Sequence, residues 1–225
     1  MSASPITIVV DESTRVSGLL LAPDDADRCF VFAHGAGAGM THPSMTLIAE
    51  ALADRRIATL RYQFPYMERG SKRTDPPKVC HATVRAAVAE ASRLMSGVPL
   101  FAGGRSFGGR MTSQAQATAP LESVVGLVFL AFPLHPPKRP SGERAQHLFD
   151  VNIPMLFLQG TRDELAQMDL LEPLVENLGP NATLVLASDA DHSFHVPART
   201  GRKDADVRRE LLYAMGSWMK KLVDG

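Results

Sequence analysis

Short β-forming runs alternate with longer helical patterns along almost the whole chain, and this alternation restricts the fold more than any single residue does. Cys29 to Ala33 is a continuous apolar run that stops at His34-Gly35, the signature of a strand buried on both faces. Met45 to Arg55 follows with apolar residues at helical spacing (Met45, Ile48, Leu52), and Pro43 suits the first turn of such a helix. The same reading predicts strands over Ile57 to Arg61, Val98 to Ala102, Val124 to Ala131, Pro154 to Gln159 and Thr183 to Ala187. Helices are expected from about Lys78 to Met95, after Ser106, over Leu165 to Leu178 and over Val207 to Leu222. Strand and helix in turn over this length predict an α/β fold, a mostly parallel sheet with helices on both faces. Ile6 to Val10 and Gly18 to Ala22 flank the polar stretch DESTRVS and predict an antiparallel hairpin at one edge. With no internal repeat and no low-complexity linker, residues 1–225 are expected to form one domain.

Composition excludes several function classes. The 225 residues carry 24 basic and 24 acidic side chains, without the basic excess of a nucleic-acid binder or of a protein drawn to anionic membranes. Apolar residues make up 45% of the chain and are spread along it, which predicts a globular core and argues against disorder. The longest apolar run, Val124 to Leu134, has eleven positions, short of the roughly 18 that a spanning helix needs. MSASPITIVVDEST has no basic segment ahead of its apolar stretch and does not read as a signal peptide. Two cysteines, Cys29 and Cys80, make neither a disulfide framework nor a zinc site. A cytoplasmic protein, monomeric or a small homo-oligomer, is the expectation.

Parallel sheets present their functional loops at the carboxyl ends of the strands, and there the chemistry is found. Gly104-Arg105-Ser106-Phe107-Gly108 is a G-x-S-x-G between the strand VPLFAG and a helix. In that context the serine sits on a sharp turn, and small neighbours are required to avoid clashes. A phosphate-binding turn is the competing reading, but neither G-x-x-x-x-G-K-[ST] nor G-x-G-x-x-G is present. His34-Gly35-Ala36-Gly37-Ala38-Gly39 follows another buried strand. Its small residues let backbone N–H groups approach the oxyanion of an acyl-transfer intermediate. Phe107 N–H is the natural first donor, with Ala36 or Gly37 as the second. His34 itself is expected to be structural, bonding loop backbone.

A serine nucleophile needs a base and an acid that orients it. Of seven histidines, His192 lies just beyond the last strand in SDADHSFH, with His195 as competitor. Asp163, in QGTRDE directly after the strand PMLFLQG, falls between serine and histidine in chain order; Glu164, Asp169 and Asp191 are the alternatives. Ser106, Asp163 and His192, each after its own strand, make a far more specific signal together than any one alone.

At these residues the sequence resembles the α/β-hydrolase-fold serine hydrolases. Within them it is most similar to the small dienelactone-hydrolase-like branch that also includes testis-expressed protein 30 and KAT8 regulatory NSL complex subunit 3 type proteins. The resemblance runs over about residues 28 to 220 and rests on AHGAGAGM, GGRSFGGR, FPLHPP, FLQGTRDE and DHSFH. It implies Ser106 as nucleophile, Asp163 as acid, His192 as base, and oxyanion donors at Phe107 and in the loop after His34. It also implies hydrolysis of a small carboxylic ester or thioester through an acyl-enzyme, with no metal or cofactor. Dienelactone hydrolases proper use a cysteine where Ser106 stands, so their substrate is not implied.

Many relatives insert a helical cap after the strand equivalent to Val124–Ala131; here only the proline-rich stretch from Pro133 to Asn152 is available. An open site suited to short acyl groups is therefore expected, since little apolar surface remains to cover a long one. Gly37, Phe64 and Arg105 are its expected walls. Arg105 and Arg110 bracket the serine, and each is expected either to pair with a carboxylate that holds the loop or, for Arg105, to meet an anionic substrate group. The alternative to an esterase is a catalytically weak protein-interaction module on the same fold, and a serine peptidase is a third, weaker reading.

Overall fold

The computed structural model describes residues 2–225. A hairpin of β1 (Ser4–Val9) and β2 (Arg15–Leu21) opens the fold, and β3 (Arg28–Ala33), α1 (Pro43–Ala53) and β4 (Ile57–Tyr62) follow. The short helix α2 (Pro65–Glu68) precedes α3 (Pro77–Leu94), β5 (Leu100–Arg105), α4 (Phe107–Thr118) and β6 (Val124–Leu130). After β7 (Met155–Gly160) come α5 (Met168–Leu178), β8 (Ala182–Ala187) and the closing helix α6 (Asp204–Asp224). The eight strands form one sheet in the order β1-β2-β4-β3-β5-β6-β7-β8. Only the β1–β2 and β2–β4 pairings are antiparallel. This is the α/β-hydrolase fold, with an antiparallel hairpin at one edge.

Each face of the sheet has its own apolar cluster. Val84, Ala87 and Val88 of α3, Met111 and Ala115 of α4 and Leu171 of α5 pack on one side. Met45, Ile48 and Leu52 of α1 join Val207, Leu211 and Met215 of α6 on the other. All six residues of each of β3, β4 and β7 are buried, which accounts for the apolar runs Cys29–Ala33 and Met155–Leu158. Among the described residues no helix is long and apolar enough to cross a membrane.

Three of the departures from the sequence expectation have a clear local reason. Strand β2 begins at Arg15, inside the stretch taken as polar connection, because Val16 and Gly18 alternate inward while Asp11 closes the turn by accepting from the Ser13 and Thr14 amides. Strand β5 runs through Gly103 and Gly104 to Arg105 instead of stopping at Ala102. Its glycines are strand residues because neighbouring backbone leaves no space for a side chain. A Cβ at Gly103 would lie 1.8 Å from the Val128 carbonyl oxygen, and one at Gly104 would lie 2.6 Å from that of Ala33. Helix α5 starts three residues later than expected, since Leu165 N–H donates to Asp163 Oδ1 and Ala166 N–H to the Asp163 carbonyl, which holds that segment in a turn.

From β6 to β7 the chain forms only one turn-rich connection with a 3₁₀ helix, Glu143–Asp150, and no separate cap. On the opposite side of the sheet's centre, β3 sits between β4 and β5, and the connections leaving β3 and β5 run in opposite directions. A crevice opens where the strand order reverses in this way. The loops after β3 and β5 face each other across it.

Helix α4 lies against β3 so closely that a Cβ at Gly108 would stand 2.5 Å from the His34 carbonyl oxygen and 2.7 Å from that of Ala33. Backbone cannot yield as a side chain does, so Gly108→Ala is expected to destabilise the protein by about 1–3 kcal/mol, the usual range for overpacking. Urea denaturation measures this; an unchanged midpoint would mean that the α4–β3 contact is looser than its distances.

Candidate active site

Ser106 occupies the single position between β5 and α4, with φ of 50° and ψ of −118°. A positive φ in a residue with a side chain is strained and persists only where surrounding structure enforces it. Here the Ser106 amide donates to the Leu130 carbonyl at the end of β6, 2.9 Å away, and Gly104 and Gly108 let the turn close against β3. A serine ahead of a helix normally spends its hydroxyl capping the first turn. Ser106 makes no such cap. Its Oγ instead lies 2.8 Å from His192 Nε2.

His192 stands in the loop after β8, and β7 holds that loop in place. Arg162 N–H donates to the Ala190 carbonyl, and a Cβ at Gly160 would come within 2.3 Å of the same oxygen. The imidazole Nδ1 lies 2.7 Å from Asp163 Oδ2. Asp163 is buried, and its carboxylate also accepts from the Gln159 side-chain amide and from Leu165 N–H. Gln159 is fixed at its other end, where Oε1 accepts from Phe132 N–H. With Nδ1 donating to a carboxylate, Nε2 is the imidazole's acceptor. Its lone pair therefore faces the serine hydroxyl, the geometry for drawing off a proton.

The alternative partners point elsewhere. His195 contacts Asp204, whose carboxylate raises its pKa, and it is exposed. Asp191 accepts from the Ser193 and His195 amides and so shapes the loop that carries His192. Another serine–histidine contact, Ser113 Oγ to His147 Nε2 at 2.7 Å, joins α4 to the 3₁₀ helix. It forms no ion pair with a carboxylate among the described residues, and burial with Arg110 nearby lowers the His147 pKa to about 4.

The loop after β3 faces Ser106. His34 is fully buried, its Nδ1 bonded to the Gly35 carbonyl at 2.7 Å and its Nε2 accepting from Phe64 N–H at 3.0 Å. Burial lowers its pKa to about 4, opposed by the Gly35 contact, so the ring is neutral at pH 7. Tyr66, in the Phe64-Pro65-Tyr66-Met67 stretch expected to contribute to the cleft wall, is buried instead and donates its hydroxyl to the Ala36 carbonyl at 3.0 Å. That bond fixes the Ala36–Gly37 peptide, next to the one that carries the Ala36 N–H. Among the described residues, neither Ala36 N–H nor Phe107 N–H has an acceptor.

An open cleft of about 300 Å³ is lined by Gly35 to Ala38, His42, Ser44, Met45, Arg105, Ser106, His192 and Ser193. Gly37 and Arg105 lie on it as expected. Phe64 does not: it is fully buried and packs edge-on to both His34 and Phe107, 5.0 and 5.6 Å between centroids. It supports the site from behind, because α2 turns the chain inward directly after β4. Among the described residues neither Arg105 nor Arg110 has the expected carboxylate partner. Arg105 donates to Ser44 Oγ at 2.9 Å, and Arg110 lies over the Phe107 ring, 5.8 Å from its centroid.

A family model described as alpha/beta hydrolase domain matches residues 26–220. Among solved structures, the chain is similar to a dienelactone hydrolase from Anabaena variabilis, at 20% identity and a TM-score of 0.78 over 98% of this chain and 97% of that one. It is also similar to an α/β serine hydrolase without lid from Xanthomonas campestris, at 22% identity and 0.74 over 97% and 95%. An α-β serine hydrolase homologue from Coxiella burnetii matches at 20% identity and 0.75 over 95% and 98%. At these identities the likeness establishes the fold.

The neutral, buried His34 makes the loop acid-sensitive. An unfolded histidine titrates near 6.5, so between about 6.5 and 4 the unfolded chain takes up a proton that the folded protein refuses. The stabilisation is complete above about pH 6.5 and is lost as pH falls, at up to ~1.4 kcal/mol per pH unit. The stability advantage of wild type over His34→Gln, from urea midpoints, is expected to be smaller at pH 5 than at pH 7. An equal advantage at both pH values would mean that the folded ring titrates normally.

Proposed function

The chain belongs to the alpha/beta hydrolase domain family, and on that premise we propose that it is a serine hydrolase of small or short-chain carboxylic esters or thioesters. The reading rests on one observation: a strained Ser106 whose hydroxyl is hydrogen-bonded to His192, itself hydrogen-bonded to the buried Asp163. Ser106 Oγ attacks the ester carbonyl while His192 Nε2 takes its proton. The tetrahedral oxyanion accepts from the N–H groups of Phe107 and Ala36, which have no other acceptor. Collapse expels the alcohol, protonated by His192, and leaves an acyl-serine. Water, activated by the same imidazole, then attacks the acyl-enzyme and regenerates Ser106. Asp163 keeps the imidazole in the reactive tautomer and stabilises its charged form.

Support for short acyl groups comes from the uncapped cleft, which has no lid to cover a long chain. The proposal also groups the protein with the testis-expressed protein 30 and KAT8 regulatory NSL complex subunit 3 type proteins, supported by the motifs AHGAGAGM and GGRSFGGR, and takes residues 1–225 as a single domain. Two buried, unpaired cysteines, Cys29 and Cys80, fit the reducing cytoplasm. The competing reading, a non-catalytic interaction module, gives no reason to hold a serine at positive φ against a histidine and a buried carboxylate.

A fluorophosphonate probe read by intact mass is expected to give one adduct on wild type, none on Ser106→Ala and slow labelling on His192→Ala. Asp163→Asn is expected to lower kcat for a p-nitrophenyl ester by about 10³–10⁴-fold, the size seen when a triad imidazole is left in the wrong tautomer. A folded wild type that takes no adduct would sink the proposal.

A further inference from the structure

Arg105, directly before the proposed nucleophile, is a largely buried cation without a counter-ion. Its guanidinium has five N–H donors, yet the protein supplies one side-chain acceptor, Ser44 Oγ. No ion pair reaches it among the described residues. Asp191 is the acid that most influences it, opposing the lowering of its pKa by burial. One Asp191 oxygen is already committed to the Ser193 and His195 amides. Nor does Ser44 neutralise it. The Ser44 hydroxyl accepts from Arg105 and is bonded to His42 Nδ1 at 2.8 Å. That nitrogen also receives the Ser44 amide, so the Ser44–His42 pair offers Arg105 no carboxylate.

Arg105 also forms a wall between two spaces. One is the cleft that holds Ser106 and His192. The other is a side pocket of about 110 Å³ lined chiefly by Ile48, Leu130, Phe194, Leu211 and Leu212, with Ser44 and Ser193 at the shared rim. Arg208 is the second cation on it, and Asp204, an acid bonded to His195 and to Val196 N–H, lies on the same lining.

A largely buried guanidinium whose remaining donors reach the cleft is better matched by an anion than by water alone, and its planar fork matches a carboxylate in two-point contact. We propose that Arg105 binds a carboxylate on the substrate, so that the preferred esters are short-chain monoanions carrying a carboxylate a few carbons from the scissile bond. This deepens the esterase reading and rests on it. A single unpaired cation with Asp191 nearby matches one negative charge better than two.

Two matched ester pairs test this, each differing only by a terminal carboxylate in place of a methyl group. Monomethyl glutarate against methyl pentanoate carries the charge on the acyl side; 4-acetoxybutanoate against butyl acetate carries it on the alcohol side. In at least one pair wild type is expected to favour the anion in kcat/KM by about tenfold or more, the scale of a charge-assisted contact. That ratio is expected to collapse in Arg105→Gln, to recover in part in Arg105→Lys, and to fall with added salt. A merely structural arginine would lower both members of a pair alike. No anion preference in either pair, or a ratio unchanged in Arg105→Gln, overturns the proposal.

Binding of monomethyl glutarate to Ser106→Ala protein, by titration calorimetry, separates this from failure of the esterase reading. If wild type turns over no ester and takes no fluorophosphonate, the esterase reading falls. Binding that disappears in Ser106→Ala/Arg105→Gln then still supports the anion site. Absence of binding to Ser106→Ala removes it.

Discussion

Everything at the site depends on how closely two backbones approach, that of β3 at Ala33 and His34 and that of the β5–α4 turn at Gly104 and Gly108. The gaps there are smaller than any side chain allows. That contact sets Ser106 at a positive φ, turns its hydroxyl away from the cap position and brings the loop after β3 to face it. Once the turn is fixed, the remaining geometry is reached by short connections, because the carboxyl ends of β5, β7 and β8 lie along the same edge of one sheet. The strain at Ser106 is held by a hydrogen bond to Leu130 and by packing on both sides.

A second constraint is the complete satisfaction of Asp163. A buried carboxylate is tolerated only when hydrogen bonds replace the water it has lost. Asp163 receives three donors, from Gln159, Leu165 and His192, and Gln159 is itself held by Phe132. The carboxylate therefore has one arrangement and the imidazole follows it. The imidazole is 26% exposed while the carboxylate is 0% exposed, so the acid is sealed and the base still meets the cleft. Arg105 is the opposite case, a charge whose own bonds are left incomplete beside the reacting group.

Much of this was legible in the residues. Apolar runs marked β3 and β7 because both of their faces are covered, and chain order with strand context marked Ser106, Asp163 and His192. His34 was readable as structural because it ends a buried strand ahead of a small-residue loop. The extension of β5 through Gly103 and Gly104 was hidden, since glycine inside a strand looks like its end until the neighbouring backbones are in place. Phe64 was misassigned to the cleft wall because nothing in its neighbours announces the short inward helix α2. The role of Tyr66 carried no signal beyond its place in the Phe64-Pro65-Tyr66-Met67 stretch, as its bond to Ala36 joins residues thirty positions apart. The arginine partners were missed because a charge count reveals how many carboxylates exist but not which are already taken.

The chain between β6 and β7 folds into a 3₁₀ turn and leaves the cleft uncovered. In enzymes with lids, closure and reopening often set the turnover rate and exclude water from the intermediate. Here neither step exists. Bulk solvent reaches the acyl-serine as soon as the alcohol departs, so deacylation by water has no gate, and a competing alcohol gains no advantage from being trapped. With no closing motion to reject a poor fit, discrimination falls to the rigid groups already lining the cleft before any substrate arrives.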